Sequence, residues 1–272
     1  VSNKIKNLEM TKKRNYIIAG NWKMNLNLKE AESFIDNYMV REGSVSNQIE
    51  KWIFPSYVNL YPIKHRLQNS SLNVGAQNCH SDNSGAFTGE VSMDMLSQIG
   101  ITGVIIGHSE RRSVFHEDHE FLKKKVDNAL EFGAKVFFCI GETEEERDNN
   151  NQKEVVNKQL QDSLFHLSEE QLEHIVIAYE PVWAIGTGKT ASPEQADEMH
   201  HFIRSQIKEQ YSVNSSDQMP ILYGGSVKPE NAESLLSKEN IDGALIGGAS
   251  LVADKFYSII ESAQKLHEIS GS

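Results

Sequence analysis

The segment 174–191 combines a carboxylate with a loop that could close over it. A short apolar run rich in β-branched residues predicts a buried strand, and Glu180 follows it directly. Pro181 ends the strand, because it has no N–H to donate and restricts the residue before it. An apolar tip, 182–185, leads to a flexible hinge, Gly186-Thr187-Gly188. These residues fit a base beneath a lid, and they also fit a surface loop whose acid has no function.

Strand and helix signals alternate along the chain. Eight apolar, β-rich runs predict strands at 16–20, 51–54, 72–76, 103–107, 135–140, 174–179, 220–224 and 243–247. Apolar residues at steps of three and four predict helices at 28–38, 121–132, 153–167, 193–211, 231–236 and 254–267. This alternation indicates an α/β fold with parallel strands and right-handed crossovers. Eight units in 272 residues favour a single closed (β/α)8 barrel, and no G-x-G-x-x-G supports an open dinucleotide-binding sheet.

In barrels of this kind the catalytic residues lie at the carboxyl ends of the strands and in the loops that follow them. Polar or glycine-rich groups follow five of the predicted strands: Asn21-Trp22-Lys23-Met24-Asn25, His108-Ser109-Glu110-Arg111-Arg112, Glu180, Gly224-Gly225-Ser226 and Gly247-Gly248-Ala249-Ser250. Taken alone, each group has an ordinary interpretation as a solvated lysine, a bystander histidine or a plain turn. Because all five fall at one end of the barrel, together they predict one site.

Composition and charge restrict the class of protein. The formal net charge of −11 argues against binding to nucleic acid or to an anionic membrane surface, and no apolar stretch is long enough to span a bilayer. Cys79 and Cys139 form no metal or redox motif, which favours a reducing compartment. We expect residues 1–14 to be a disordered N-terminal extension, either a plain tail or a basic targeting segment, and residues 15–272 to be one catalytic domain.

Seven segments resemble those of the triosephosphate isomerase family, in the same order along the chain. They are AGNWKMN (19–25), GAFTGE (85–90), IGHSERR (106–112), CIGET (139–143), AYEPVWAIGTGKTA (178–191), YGGSV (223–227) and GGAS (247–250). The resemblance runs from about residue 16 to about residue 265. It implies a TIM barrel and a cytoplasmic enzyme of glycolysis and gluconeogenesis that needs no cofactor and no metal. Such an enzyme interconverts dihydroxyacetone phosphate and D-glyceraldehyde 3-phosphate through an enediol or enediolate.

The resemblance also implies a role for each polar residue of the site. Glu180 is the base that serves both substrate carbons, and an apolar lid would raise its basicity by removing water. His108 is the electrophile, and the N-terminus of a short helix beginning at residue 109 favours its neutral form. Lys23 supplies a positive charge and Asn21 a neutral donor for the substrate oxygens. For Glu110 the sequence leaves three possibilities: holding Lys23, moving protons, or an ordinary surface ion pair with the neighbouring arginine.

The family pattern implies a phosphate site made of Gly186, Ser226, Gly247 and Gly248. Glycine lets backbone N–H groups approach a phosphate closely, and the loops after strands seven and eight are the usual place for one in such barrels. Because Gly186 lies on the lid, phosphate binding would be coupled to lid closure, which protects the intermediate from phosphate elimination to methylglyoxal.

The polar stretch 77–90 has two interpretations. It fits a solvated loop, whereas the resemblance implies an arm that inserts into a second subunit near the Asn21 and Lys23 of that subunit. A homodimer is then expected, with Thr88 at the contact and Glu90 meeting Arg111 across the interface.

Two other functions remain open at this point. One is an aldolase-type barrel in which Lys23 forms a Schiff base with a phosphorylated substrate. The other is a non-catalytic barrel that binds phosphorylated metabolites or acts as an adhesin.

Overall fold

The computed structural model describes residues 14–44 and 46–271. Within these ranges eight parallel strands form one sheet: β1 (Ile17–Asn21), β2 (Glu50–Phe54), β3 (Leu72–Val74), β4 (Gly103–Ile106), β5 (Lys135–Ile140), β6 (Ile175–Tyr179), β7 (Ile221–Tyr223) and β8 (Gly243–Ile246). The strands are neighbours in the order β3-β2-β1-β8-β7-β6-β5-β4, and a bridge from Ala76 to Val104 joins the two remaining edges. The predicted closed (β/α)8 barrel is therefore confirmed.

Helices follow the strands around the outside of the barrel. They are α1 (Leu28–Met39), α2 (Tyr57–Arg66), α3 (Met93–Gln98), α4 (Ser109–Ser113), α5 (His119–Glu131), α6 (Glu144–Asp148), α7 (Gln152–Ser163), α8 (Glu169–Leu172), α9 (Pro193–Gln210), α10 (Val213–Gln218), α11 (Pro229–Leu236) and α12 (Ala253–Gly271). Within the described ranges, none of these helices is both long and apolar enough to span a membrane.

Alternate residues of each strand face two separate apolar layers, as the two-residue period of a strand requires. Residues such as Ile18 and Ile53 belong to the large layer between strands and helices, whereas the rings of Trp52, Phe54 and Phe137 pack inside the barrel. The Phe137 ring centroid lies 4.9 Å from that of Phe54 and 5.3 Å from that of Trp52. The barrel is thus a filled core, which leaves the rim at its carboxyl end as the place for a site.

Two differences from the sequence prediction have local causes. The helix predicted at 153–167 ends at Ser163, and α8 begins separately because Ser168 and Gln171 form a capping box. Helix α2 was not predicted, since Pro62 lies inside it and its apolar residues show little helical periodicity.

The expected N-terminal extension, 1–14, falls largely outside the described residues. Only its last residue, Arg14, is described, and its guanidinium pairs with the buried Asp242 just before β8.

Candidate functional site

The carboxyl ends of the strands surround an open cleft of about 850 Å³. It is lined by eight of the residues predicted for the site: Asn21, Lys23, His108, Glu180, Gly186, Ser226, Gly247 and Gly248. They come from five different strand ends, so the barrel topology brings them together as the sequence predicted.

Glu180 is almost completely buried, with an exposed fraction of 2%. Its Oε1 lies 3.0 Å from Nε2 of His108, and its Oε2 accepts the backbone N–H of Ser109 at 2.8 Å. Gly224 leaves room for this side chain, because a Cβ there would lie 2.8 Å from Cγ of Glu180. Burial raises the pKa of the Glu180 carboxyl, but the neighbouring His108, the Ser109 N–H and Lys23 outweigh it, so the net shift is downward. In this conformation Glu180 is held as a stable carboxylate.

His108 caps helix α4 with its side chain. Its Nδ1 accepts the backbone N–H of Glu110 at 3.2 Å, so Nδ1 carries no proton and Nε2 is the atom that donates toward Glu180. Burial lowers the pKa of the imidazole, whereas the carboxylate of Glu180 raises it, and the net direction here is upward. The upward shift comes from the Glu180 carboxylate beside Nε2, whereas the bond to Nδ1 requires that this nitrogen carry no proton. The hydrogen-bond geometry therefore favours the neutral ring, as the sequence led us to expect.

Lys23 has an unusual backbone conformation, with φ of 52°. Its N–H donates to Oδ1 of Asn21 at 3.0 Å, and its carbonyl accepts from Nε2 of Gln77 at 2.7 Å. These contacts hold a left-handed conformation that costs a non-glycine residue about 1–3 kcal/mol. The Lys23 Nζ lies 2.7 Å from Oε1 of Glu110. Of the possibilities left open for Glu110, the observed contact is the one that holds Lys23.

The turns after β7 and β8, which the sequence predicts as a phosphate site, form one side of the cleft. Ser226 lies just before α11, and Gly247 and Gly248 open a 3-10 turn that is fixed by Ser250, whose Oγ donates to the Ile246 carbonyl at 3.0 Å. The Cε of Lys23 lies 3.8 Å from the position of a Cβ at Gly247. The lysine stem therefore reaches from the first strand to the proposed phosphate turn.

The expected lid begins with a 3-10 turn, Val182–Ala184, and continues through an exposed stretch, 186–190. Gly186 and Gly188 have φ of 69° and 83°, which favours glycine at both positions. Because nothing lies within 4 Å of the position of a Cβ at either glycine, the tip of this loop is not packed against the rest of the barrel.

Both ends of the lid are attached to the segment 142–147, which includes the start of α6. Nε1 of Trp183 donates to Oε1 of Glu142 at 2.9 Å, and this fully buried carboxylate also accepts from Tyr179 and Arg147. At the other end, the exposed ammonium of Lys189 pairs with Glu144.

Sequence reasoning assigned no role to Glu142, although it follows β5 at the same end of the barrel as the other groups. The Ser109 N–H and Gln77 were also missed, since a backbone donor and a glutamine carry no distinctive sequence signal. Among the described residues no three His, Cys, Asp or Glu side chains are arranged to hold a metal.

Two of the three residues predicted for a subunit contact, Glu90 and Arg111, line another cleft of about 520 Å³ together with Phe115. Thr88 and Glu90 are exposed. Within the chain the Arg111 guanidinium donates to Oε1 of Glu117 at 2.6 Å and stacks on the Phe115 ring at 4.2 Å. Exposed apolar side chains elsewhere on the described surface include Met24, Val58, Tyr61, Phe87, Met95 and Val114.

Comparison with known proteins gives one consistent result. The family model described as triosephosphate isomerase matches residues 16–263. Curated relatives of that name include a Flavobacterium johnsoniae protein, 48% identical over 91% of this chain and 98% of the relative. A Flavobacterium psychrophilum protein is 46% identical over 90% of this chain and 97% of its own length. A Finegoldia magna protein is 47% identical over 91% of this chain and 98% of its own length.

Proposed function

The chain belongs to the triosephosphate isomerase family and interconverts triose phosphates, and from this premise we propose how its residues divide the reaction. Glu180 is the base, His108 the electrophile, and Lys23 and Asn21 the groups that hold the substrate oxygens. The observation that carries the proposal is the convergence of a buried carboxylate, an imidazole Nε2–H and an ammonium on one cleft.

The reaction begins with an exchange of hydrogen bonds. A substrate oxygen replaces Glu180 as the acceptor of the hydrogen bond from Nε2–H of His108. Glu180 also gives up its bond from the Ser109 N–H and turns toward the substrate carbon. A carboxylate that gives up two donors inside a buried site becomes a stronger base. The contacts that lower the pKa of Glu180 in the open site are thus the ones that substrate binding removes.

Proton transfer then follows in two balanced steps. Glu180 removes the proton from the carbon beside the carbonyl, and the electron pair moves onto the carbonyl oxygen to give an enediolate. The Nε2–H of His108 and the ammonium of Lys23 stabilise this negative charge, which is worth far more in a closed site than in water. In the second step the protonated Glu180 returns its proton to the neighbouring carbon. His108 gives its Nε2 proton to the negatively charged oxygen and takes up the proton of the adjacent hydroxyl, which becomes the new carbonyl, and the other triose phosphate is released.

Glu110 acts on Lys23 rather than on the substrate. Its carboxylate lies 2.7 Å from the ammonium and is itself half exposed, so it orients Lys23 without removing it from the cleft. Metal ions and cofactors have no part in this mechanism.

Ser226, Gly247, Gly248 and Gly186 bind the phosphate. The first three lie on turns after β7 and β8, and Gly186 completes the site from the lid. Closure of the lid over a bound phosphate excludes water from the enediolate and limits phosphate elimination to methylglyoxal.

We also propose a cytoplasmic homodimer whose barrel domain spans 15–272. The exposed Phe87 in loop 77–90 and the exposed Phe115, which shares a cleft with Glu90 and Arg111, support a subunit contact that includes Thr88, Glu90 and Arg111. Two buried free thiols, Cys79 and Cys139, are in keeping with a reducing compartment.

A coupled isomerase assay on the wild type and on Glu180→Gln tests the proposal. Loss of the base is expected to lower kcat by about 10²–10⁴ while the affinity for inorganic phosphate is kept. Glu233→Gln, at an exposed helix position, is the matched control and should retain wild-type rates. An inactive wild type would refute the proposed function, and a substrate adduct trapped by borohydride on Lys23 would favour the aldolase alternative.

A further inference from the structure

Arg112 joins the ends of two neighbouring strands through its guanidinium. Its Nε donates to the carbonyl of Gly107 at 2.7 Å, and its Nη2 donates to the carbonyl of Cys139 at 2.9 Å. Its Nη1 lies 3.3 Å from Nδ1 of His119, and its Cζ lies 5.5 Å from the centroid of the Phe138 ring. All three nitrogens of the side chain are therefore directed at acceptors.

This cation has no carboxylate partner among the residues that the structure describes. Arg111 pairs with Glu117 and Arg147 pairs with Glu142, whereas no ion pair of 4.0 Å or less forms at Arg112. Burial lowers the pKa of the Arg112 guanidinium, which reflects the cost of holding this charge away from water. Glu180 and Glu117 act on this part-buried cation only from beyond ion-pair distance, so its position is set by the carbonyl groups that it binds directly.

The backbone is shaped to admit the guanidinium. Gly107 has φ of 76°, and a Cβ at this position would lie 2.9 Å from Nη2 of Arg112 and 3.1 Å from the Cys139 carbonyl. The ladder between β4 and β5 ends at the pair formed by Ile106 and Phe138. Gly107 and Cys139 are the residues that follow this last pair, and Arg112 binds the carbonyl of each.

These two carbonyls belong to the backbone that carries the catalytic pair. Gly107 is bonded to His108, and Cys139 precedes Ile140, whose carbonyl accepts the N–H of Glu180 at 2.7 Å. We propose that Arg112 is a positioning residue that fixes the β4 and β5 ends, and with them the direction of the His108 Nε2–H relative to Glu180. This inference rests on the proposed function of those two residues.

Arginine suits this task better than lysine. The planar guanidinium donates to two carbonyls in fixed directions, whereas an ammonium is a point charge on a flexible stem. Arg112→Lys keeps the positive charge but loses the fixed directions of the N–H donors. Arg112→Met removes both the charge and the donors. Arg41→Lys is the matched control, because Arg41 is half exposed and pairs with Asp254 outside the cleft.

The experiment compares turnover with two binding affinities in the full-length protein. Since a misplaced catalytic group lowers the rate more than substrate binding, Arg112→Lys is expected to lower kcat about tenfold and Arg112→Met about a hundredfold, with KM within about twofold of wild type. Phosphoglycolate, whose carboxylate imitates the charge of the enediolate, should bind about tenfold more weakly to Arg112→Lys, because it depends on the His108 donor. Inorganic phosphate should bind as it does to the wild type.

The results that would refute the positioning role of Arg112 differ from the result that would refute the proposed function. A kcat of Arg112→Lys within twofold of wild type, an equal loss of affinity for both ligands, or a failure of both variants to fold would refute the positioning role. An inactive wild type would instead refute the proposed function.

Discussion

His200 provides the sharpest test of how burial governs charge in this protein. The side chain is fully buried on α9, with its ring 5.7 Å from that of Tyr179 and 6.4 Å from that of Tyr223. Its Nδ1 lies 3.2 Å from the Asn240 carbonyl, to which it must donate. Burial lowers the pKa of His200 from 6.5 to about 3. The folded protein therefore keeps this imidazole neutral.

The sign and size of the pH effect follow from this depressed pKa. Above pH 6.5 His200 is neutral in both states, so it adds no pH dependence. Between pH 6.5 and about 3 only the unfolded chain binds the proton, and stability falls by about 1.4 kcal/mol per pH unit. The loss is about 2 kcal/mol at pH 5 and about 4 kcal/mol at pH 3, relative to neutral pH.

Urea unfolding of the wild type and of His200→Gln between pH 7.5 and 5 measures this effect. The protomer concentration must stay fixed, because association contributes to apparent stability. Glutamine can still donate to the Asn240 carbonyl but does not titrate, and other groups cancel in the difference between the two proteins. We expect that difference to change by about 2 kcal/mol between pH 7.5 and 5. His174→Gln, at an exposed position, should show no such change, and a flat difference for His200→Gln would refute the reasoning.

Three further predictions concern the site and the subunit contact. Ser109→Pro, at the first position of α4 where proline is tolerated, removes the N–H that stabilises the Glu180 carboxylate; the pKa of Glu180 should rise and the acid limb of kcat/KM should move to higher pH. Ser109→Ala keeps the N–H and should leave the acid limb of kcat/KM at its wild-type pH. The same acid limb in Ser109→Pro and Ser109→Ala would contradict the role of this donor. Trp183→Phe breaks the bond to Glu142, and we expect kcat to fall about tenfold and the methylglyoxal fraction in the product assay to rise; unchanged products would argue against a lid role. Thr88→Arg places an unpaired charge in the proposed interface and should shift the sedimenting species from dimer to monomer, so a variant that sediments like the wild type would exclude Thr88 from the contact.

The sequence predicted the strands better than the helices. Strand β5 begins and ends where its apolar run does, because a strand buried on both faces needs an uninterrupted apolar sequence. Helix α2 carries Pro62 and a weak apolar pattern, so packing rather than local preference determines it. The position of Glu180 at a strand end followed from the same logic, and its role came from the resemblance of the surrounding residues to a known family.

The partners of the site residues could not be predicted in the same way. The Ser109 N–H and the Glu180 carboxylate are 71 residues apart, and only the closed barrel makes them neighbours. The choice between Lys23 and Arg111 as the partner of Glu110 also depends on tertiary distance, because both cations were plausible from the sequence. Arg112 stands beside Arg111 in the same motif, and only the observed donors distinguish the two.

The attachment of both lid ends to segment 142–147 has a consequence for exchanging lids between related enzymes. The contact of Trp183 with the buried Glu142 is shielded from solvent, whereas the pair of Lys189 with Glu144 is exposed and will be screened by salt. Ionic strength should therefore loosen one end of the lid and leave the other unchanged. A lid transplanted without 142–147 would lose both attachments at once, so the two segments form a single exchangeable unit although more than thirty residues separate them in the chain.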